Sequence, residues 1–186
     1  VTGNTIAYNV SNGDGGGAYF TNSEAQYTGN TFRGNTASSD VVPYGSGGGG
    51  IYNSGTLTVA HTTFTAHTAW HYAISTGGGI YNSPDGVLNV TNSTISDNQA
   101  TVGGGGIVNS TDSTITLNNT IVANSTGGDC VLDAGTINAQ NSLIEDGLAC
   151  VNGTNGNNLT DRAPPIAPYY SAFGAGPSQV NTSLFD

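Results

Sequence analysis

The sequence predicts an all-β fold: a right-handed, single-stranded parallel β-helix with three strands per coil and about six rungs. Three observations carry that expectation. A glycine-led phrase recurs along the chain, short stretches of alternating apolar and polar residues follow each copy, and no helical segment falls between them. The phrase reads GGGAY from Gly15, GGGIYNS at 48–54, GGGIYNS again at 77–83 and GGGIVNS at 104–110, at spacings of 33, 29 and 27 residues.

Each coil divides into three strands. The first holds Ala18-Tyr19, Ile51-Tyr52, Ile80-Tyr81, Ile107-Val108, Cys130-Val131 and Cys150-Val151. The second reads AQY (25–27), LTV (57–59), LNV (88–90), ITL (115–117) and INA (137–139). The third begins at Ile6, Phe32, Phe64, Ile95, Ile121 and Leu143. Period-2 alternation marks strands with one buried face. One coil alone cannot bury that face, so coils stack at roughly 4.8 Å and pile Leu57, Leu88, Ile115 and Ile137 into one core column. The glycines ahead of each first strand suit a tight corner.

Two polar columns support this register. The position three residues after each third-strand anchor reads Asn9, Asn35, His67, Asn98, Asn124 and Asp146. A second column follows the first strand with Asn53, Asn82, Asn109 and Asn152. Stacked asparagines hydrogen-bond along the axis and to corner backbone, so both columns are read as structural. The domain plan is a β-helix over 1–152 and a non-repeating tail over 153–186.

Composition narrows the function. Only 8% of the 186 residues are charged, and twelve acids against two cations, Arg33 and Arg162, give a net charge of -10. That surface repels nucleic acid phosphates and anionic membranes, so neither is an expected partner. No apolar run is long enough to span a bilayer. No signal peptide precedes Val1, which falls within a repeat, so the chain reads as processed or excerpted.

The glycine phrase GGGI (48–51) and the motif FRGN (32–35) resemble the repeat of the polymorphic outer-membrane proteins. The stretch 121–161 is similar to the end of secreted bacterial β-helix proteins of the choice-of-anchor type. The resemblance covers residues 1–161. It implies a right-handed β-helix and an exported, surface-associated protein, and it implies no catalytic site.

Cys130 and Cys150 fall at the same position of consecutive first strands, within the reach of a disulfide, which suits an exported protein; two buried free thiols are the alternative. His61, His67 and His71 match no compact ligand spacing. No cofactor is expected. The acid turns NGDGG (12–16) and SPDG (83–86) leave weak Ca²⁺ binding open beside ordinary Asp-Gly turn chemistry.

Enzymatic activity is not expected. Cleaving an acidic polysaccharide calls for clustered cations, and glycoside hydrolysis calls for two carboxylates about 5–9.5 Å apart. Asp97 and Glu145 are the nearest candidates, two rungs apart with Ala123 between them. An ice-binding face would need unbroken Thr-X-Thr columns, and Glu24, Val87 and Asn138 interrupt those that hold Thr56, Thr58, Thr114 and Thr116. The connecting segments 36–47 and 68–76 carry Val41, Tyr44, Trp70 and Tyr72, an expected contact surface or a satellite cluster on the flank. Tyr19, Tyr52 and Tyr81 form an outward aromatic column suited to stacking or to sugar rings. The tail carries Tyr169, Tyr170, Phe173 and Phe185, which would cap the last coil or dock on a neighbouring subunit. About nine N-x-[ST] sequons occur, and none is assigned as a glycosylation site.

These features lead to the expectation of a non-enzymatic, extracellular structural or adhesive protein of a bacterial cell surface, stacking head to tail into a filament, with glycans or host-surface ligands as further partners. The alternative is a polysaccharide-binding or polysaccharide-cleaving module.

Overall fold

The computed structural model describes residues 1–39, 46–71 and 75–160. Among them every strand pairing is parallel and no helix occurs. The chain winds as a parallel β-helix. In-register pairing sets Leu57, Leu88, Ile115 and Ile137 in one row, all fully buried. A second row holds Ile51, Ile80 and Ile107 between Ala18 and Cys130. Burying each large aliphatic side chain contributes about 1.5–3 kcal/mol.

The first and second strands share one sheet. In the two earliest coils they run together as single long strands, Ala18–Thr28 and Ile51–Ala60. From the third coil on they split, as Ile80–Asn82 with Val87–Thr91 and Ile107–Asn109 with Thr114–Asn118. The split follows from the SPDG and STDS stretches, which add two residues at this bend relative to Ser54-Gly55.

The third strands form a seven-rung sheet, from Thr5–Ala7 through Leu159–Thr160. Its inward row is Ile6, Phe32, Phe64, Ile95, Val122 and Ile144. The expected anchors Ile121 and Leu143 are therefore one residue early. Both belong to doubly apolar pairs, Ile121-Val122 and Leu143-Ile144, where alternation does not say which member faces inward. Phe32 and Phe64 stack in the row with ring centroids 4.7 Å apart.

A fourth short ladder follows, built from Val10–Asn12, Thr36–Ser38, Thr68–Trp70 and Gln99–Ala100. It occupies the start of the variable connecting segments. The ladder also continues past residue 152: Asn155–Gly156 pairs with Ala139-Gln140, and Leu159–Thr160 pairs with Leu143-Ile144. The solenoid thus runs eight residues beyond the expected boundary, and the tail from 161 on lies outside the described residues.

Two corners bracket each third strand, and both follow one rule. A residue in the left-handed conformation is succeeded by a polar residue that ties two coils together. At the corner before the strand, His61, Asn92, Asn119, Asn141 and Asn157 have φ of 49–55°. Asparagine tolerates that region better than most residues. The next residue donates its backbone N–H to a side chain one coil on: Thr62 to Ser93 Oγ at 3.1 Å, Thr120 to Ser142 Oγ at 3.2 Å, and Ser142 to Asn158 Oδ1 at 2.9 Å. The receiving hydroxyl then donates within its own coil, as Ser93 Oγ does to the Thr91 carbonyl at 2.8 Å. Buried backbone donors at the bends are satisfied without water.

Candidate functional site

Among the polar columns, the amides after the first strand form a continuous wire. Asn53 Nδ2 donates to Asn82 Oδ1 at 2.7 Å, and Asn82 Nδ2 donates to Asn109 Oδ1 at 2.9 Å. All three residues are fully buried. Asn82 also donates to the Gly86 and Thr114 carbonyls, so it holds its own bend and the next one. Asn152 does not join this wire. Leu132 takes the paired position beside Asn109, and Asn152 Oδ1 accepts the Ile137 N–H at 2.9 Å.

The corner after the third strand carries the other column. The Asn9 N–H donates to Asn35 Oδ1, Asn35 N–H to His67 Nδ1 and His67 N–H to Asn98 Oδ1, each at 3.0 Å. Asn124 stands outside this column. It is exposed at φ 57°, in line with Tyr8, Ala66 and Asp97 at the same φ, and Ser125 is the residue in register. The one-residue slip at Val122 causes the displacement, and Asp146 is displaced likewise.

His67 is fully buried, and among the described residues its Nε2 has no hydrogen-bond partner. Burial pushes its imidazole down to about 4, so it stays neutral with Nδ1 as acceptor. His71 is also buried, whereas His61 is exposed at its corner.

Cys130 and Cys150 form a disulfide with Cα atoms 6.0 Å apart. Cys130 lies in the strand Cys130–Leu132, but Cys150 lies in a turn above it rather than in a strand. The bond ties the end of the ladder to the last first strand.

The acids near this end are engaged with the backbone. Asp129 Oδ1 accepts the Ser125 N–H at 2.9 Å, and its Oδ2 accepts the Asp146 N–H at 3.2 Å. Asp146 Oδ2 in turn accepts the Asp129 N–H at 2.9 Å. Burial pushes the Asp129 carboxyl up to about 6, with Asp146 and Glu145 adding to the rise against these donors. Asn124 bridges the remaining pair: its N–H donates to Glu145 Oε2 at 2.6 Å and its Nδ2 donates to Asp97 Oδ1. The two acid turns are likewise tied by backbone donors, the first from the next coil and the second from within the turn. Asp14 Oδ1 accepts the Gly47 N–H at 2.8 Å, and the Gly86 N–H donates to the Ser83 carbonyl at 3.0 Å.

The tyrosine column stacks, with Tyr19 and Tyr52 centroids 4.7 Å apart and Tyr52 and Tyr81 5.4 Å apart. Tyr52 thus has a ring on each side, stacked with Tyr19 and tilted against Tyr81, while Tyr19 is exposed. Trp70 ends the strand Thr68–Trp70 and is exposed. The other expected interface residues, Val41, Tyr44, Tyr72, Tyr169, Tyr170, Phe173 and Phe185, lie outside the described residues.

A feature the sequence reading missed lies on the outer face of the second strands. Thr116, Asn118, Asn138, Gln140 and Thr154 surround a concavity of about 280 Å³ with Leu117 and Ala139 beneath. Register creates it, because Thr116 pairs with Asn138 and Asn118 with Gln140. The partial last coil supplies the wall: Thr154 N–H donates to Asn138 Oδ1 and Ala139 N–H to the Thr154 carbonyl, both at 2.8 Å. The signal available in the sequence was the ladder's continuation past 152, which the weak strands NG and LT concealed.

A parallel β-helix with internal amide wires and one disulfide is the class these observations define. No family model, no curated protein and no solved structure matches the chain.

Proposed function

We propose that the chain is a non-enzymatic, extracellular structural and adhesive β-helix of a bacterial surface, extending head to tail into a fibre. The observation that supports this most is the ladder itself, in which each coil takes the next by in-register parallel pairing. Among the described residues Thr5–Ala7, Val10–Asn12 and Ala18–Thr28 each pair with another strand on one side, and Val1–Gly3 bond to the outer side of the last at Gln26 and Thr28. Tyr8, Val10 and Tyr19 on this first coil are 68%, 74% and 53% exposed. Partly buried Ile6, Phe20, Ala25 and Tyr27 line the same end of the core.

An edge of this kind is a template for a further strand. A parallel ladder takes the next coil in the same direction, so a second copy docks its last coil on this first one. That contact is heterologous and does not close, which yields filaments. The disulfide fits an oxidising location. The acids fit a structural role, since Asp129, Asp146 and Glu145 accept backbone N–H groups.

Sedimentation velocity and electron micrographs of the purified chain test the reading. The parent should form fibres, and a Val10→Lys/Tyr19→Lys variant, charged on exposed edge positions, should sediment as single subunits. A parent chain that stays monomeric at high concentration overturns the proposal.

A further inference from the structure

We infer that the concavity walled by Thr116, Asn118, Asn138, Gln140 and Thr154 is a binding subsite for a neutral oligosaccharide. This deepens the adhesive part of the proposed function and rests on it.

Each of those five side chains carries a hydroxyl or an amide and none is charged, while Leu117 and Ala139 between them turn their side chains into the core. Amides and hydroxyls both donate and accept. A neutral sugar presents the same mixture on its hydroxyl groups, with apolar C–H surface between them. Convergent polar groups in a concave surface are what small-molecule sites use to orient a ligand.

One group in the wall lacks a partner. Asn118 Oδ1 is held away from water with no hydrogen bond among the described residues. Leaving such an acceptor unsatisfied costs about 1–3 kcal/mol. Turning the Asn118 amide toward a sugar hydroxyl relieves that cost.

The surrounding face continues the site along the ladder axis. Rows in register run Thr58, Asn89, Thr116 and Asn138, and beside them Ala60, Thr91, Asn118 and Gln140. Successive rungs are about 4.8 Å apart, close to the advance of one pyranose unit in an extended chain. A glycan lying along the axis therefore meets a hydrogen-bonding side chain at nearly every unit. β-Branched threonine is restricted at χ1, so much of the surface is ordered before the ligand arrives. The molecule's net charge of -10 works against acidic glycans and leaves neutral ones as the class that fits.

Calorimetric titration of the intact chain with cellohexaose, laminarihexaose, mannohexaose and hexagalacturonate tests the assignment. At least one neutral hexasaccharide should bind and hexagalacturonate should not. Asn118→Ala and, separately, Gln140→Ala should each weaken binding about tenfold or more while the melting temperature is retained. Binding of none of the neutral probes overturns the inference, as does binding that both variants leave unchanged. Inhibition of ice recrystallisation without oligosaccharide binding also overturns it, by assigning the face to ice. Sedimentation of the same samples reports fibre growth separately, so a failed titration is distinguishable from a failed assembly.

Discussion

The Asn35 N–H donates to His67 Nδ1 at 3.0 Å, at a column position where the neighbouring coils use the side-chain oxygens of Asn35 and Asn98. An imidazole in an amide column introduces a titratable group where the other coils have none. The folded value is about 4 against an ordinary 6.5. A depressed value means that the stability is fully present above pH 6.5 and is lost as pH falls through 4. The whole difference is about 3 kcal/mol. His67→Asn keeps the acceptor and removes the liability. The variant's melting temperature relative to the parent should rise steadily between pH 6.5 and 4, and a flat difference would refute the account.

Asp129 works in the opposite direction. Its folded value of about 6 lies above the ordinary 3.8. The stability tied to it is fully present below pH 3.8 and is lost as pH rises through 6. Carbon-13 NMR of the Asp129 carboxyl should show a midpoint near 6. Because the two groups oppose each other over the same interval, parent curves alone understate both, and each is read from its own variant. Asp129→Asn should flatten the decline between pH 4 and 6.

Asn82 joins two bends and two neighbouring amides in one buried position. Asn82→Leu leaves the Asn53 amide and the Gly86 and Thr114 carbonyls without this partner. Each unsatisfied buried group costs about 1–3 kcal/mol, so a loss of about 3 kcal/mol or more is expected in urea unfolding. The exposed Gln99→Leu, in the strand Gln99–Ala100, should cost under about 1 kcal/mol.

The Cys130–Cys150 bond closes a segment with a sequence separation of 20. Chain-entropy reasoning assigns such a loop about 3 kcal/mol. Reduction should lower the urea midpoint correspondingly. Amide exchange should accelerate first at residues 130–160 and leave the coils around Leu57 and Leu88 protected. Uniform acceleration would contradict the placement of the bond at one end of the ladder.

Gly78 lies where successive bends nearly touch. A Cβ there would collide with the carbonyl oxygens of Gln99 and Gly105. Gly78→Ala should prevent the third and fourth coils from stacking, read as loss of the cooperative transition by circular dichroism.

The inward rows were legible in the sequence wherever one apolar residue stood between polar ones, as Leu57 does between Thr56 and Thr58. Where two apolar residues adjoined, at Ile121-Val122 and Leu143-Ile144, the same pattern admitted two registers, and the polar column slipped with the anchor to Asn124. The buried amides were legible because Asn recurs at a fixed offset, at Asn53, Asn82 and Asn109. The corner column of Thr62, Ser93, Thr120 and Ser142 was hidden because several residue types perform one bonding role. The concavity escaped because it arises from a last half-coil whose strands are two residues long and carry little alternation.

The corner rule also bears on how such a chain changes over generations. Most bends are satisfied by a side-chain acceptor from the adjacent turn, and any turn ending in Asn, Ser or Thr supplies one. Duplicating or deleting a unit of 27–33 residues between two such bends therefore leaves a junction chemically equivalent to the one it replaces. Length becomes a property that recombination can adjust in steps without redesigning an interior.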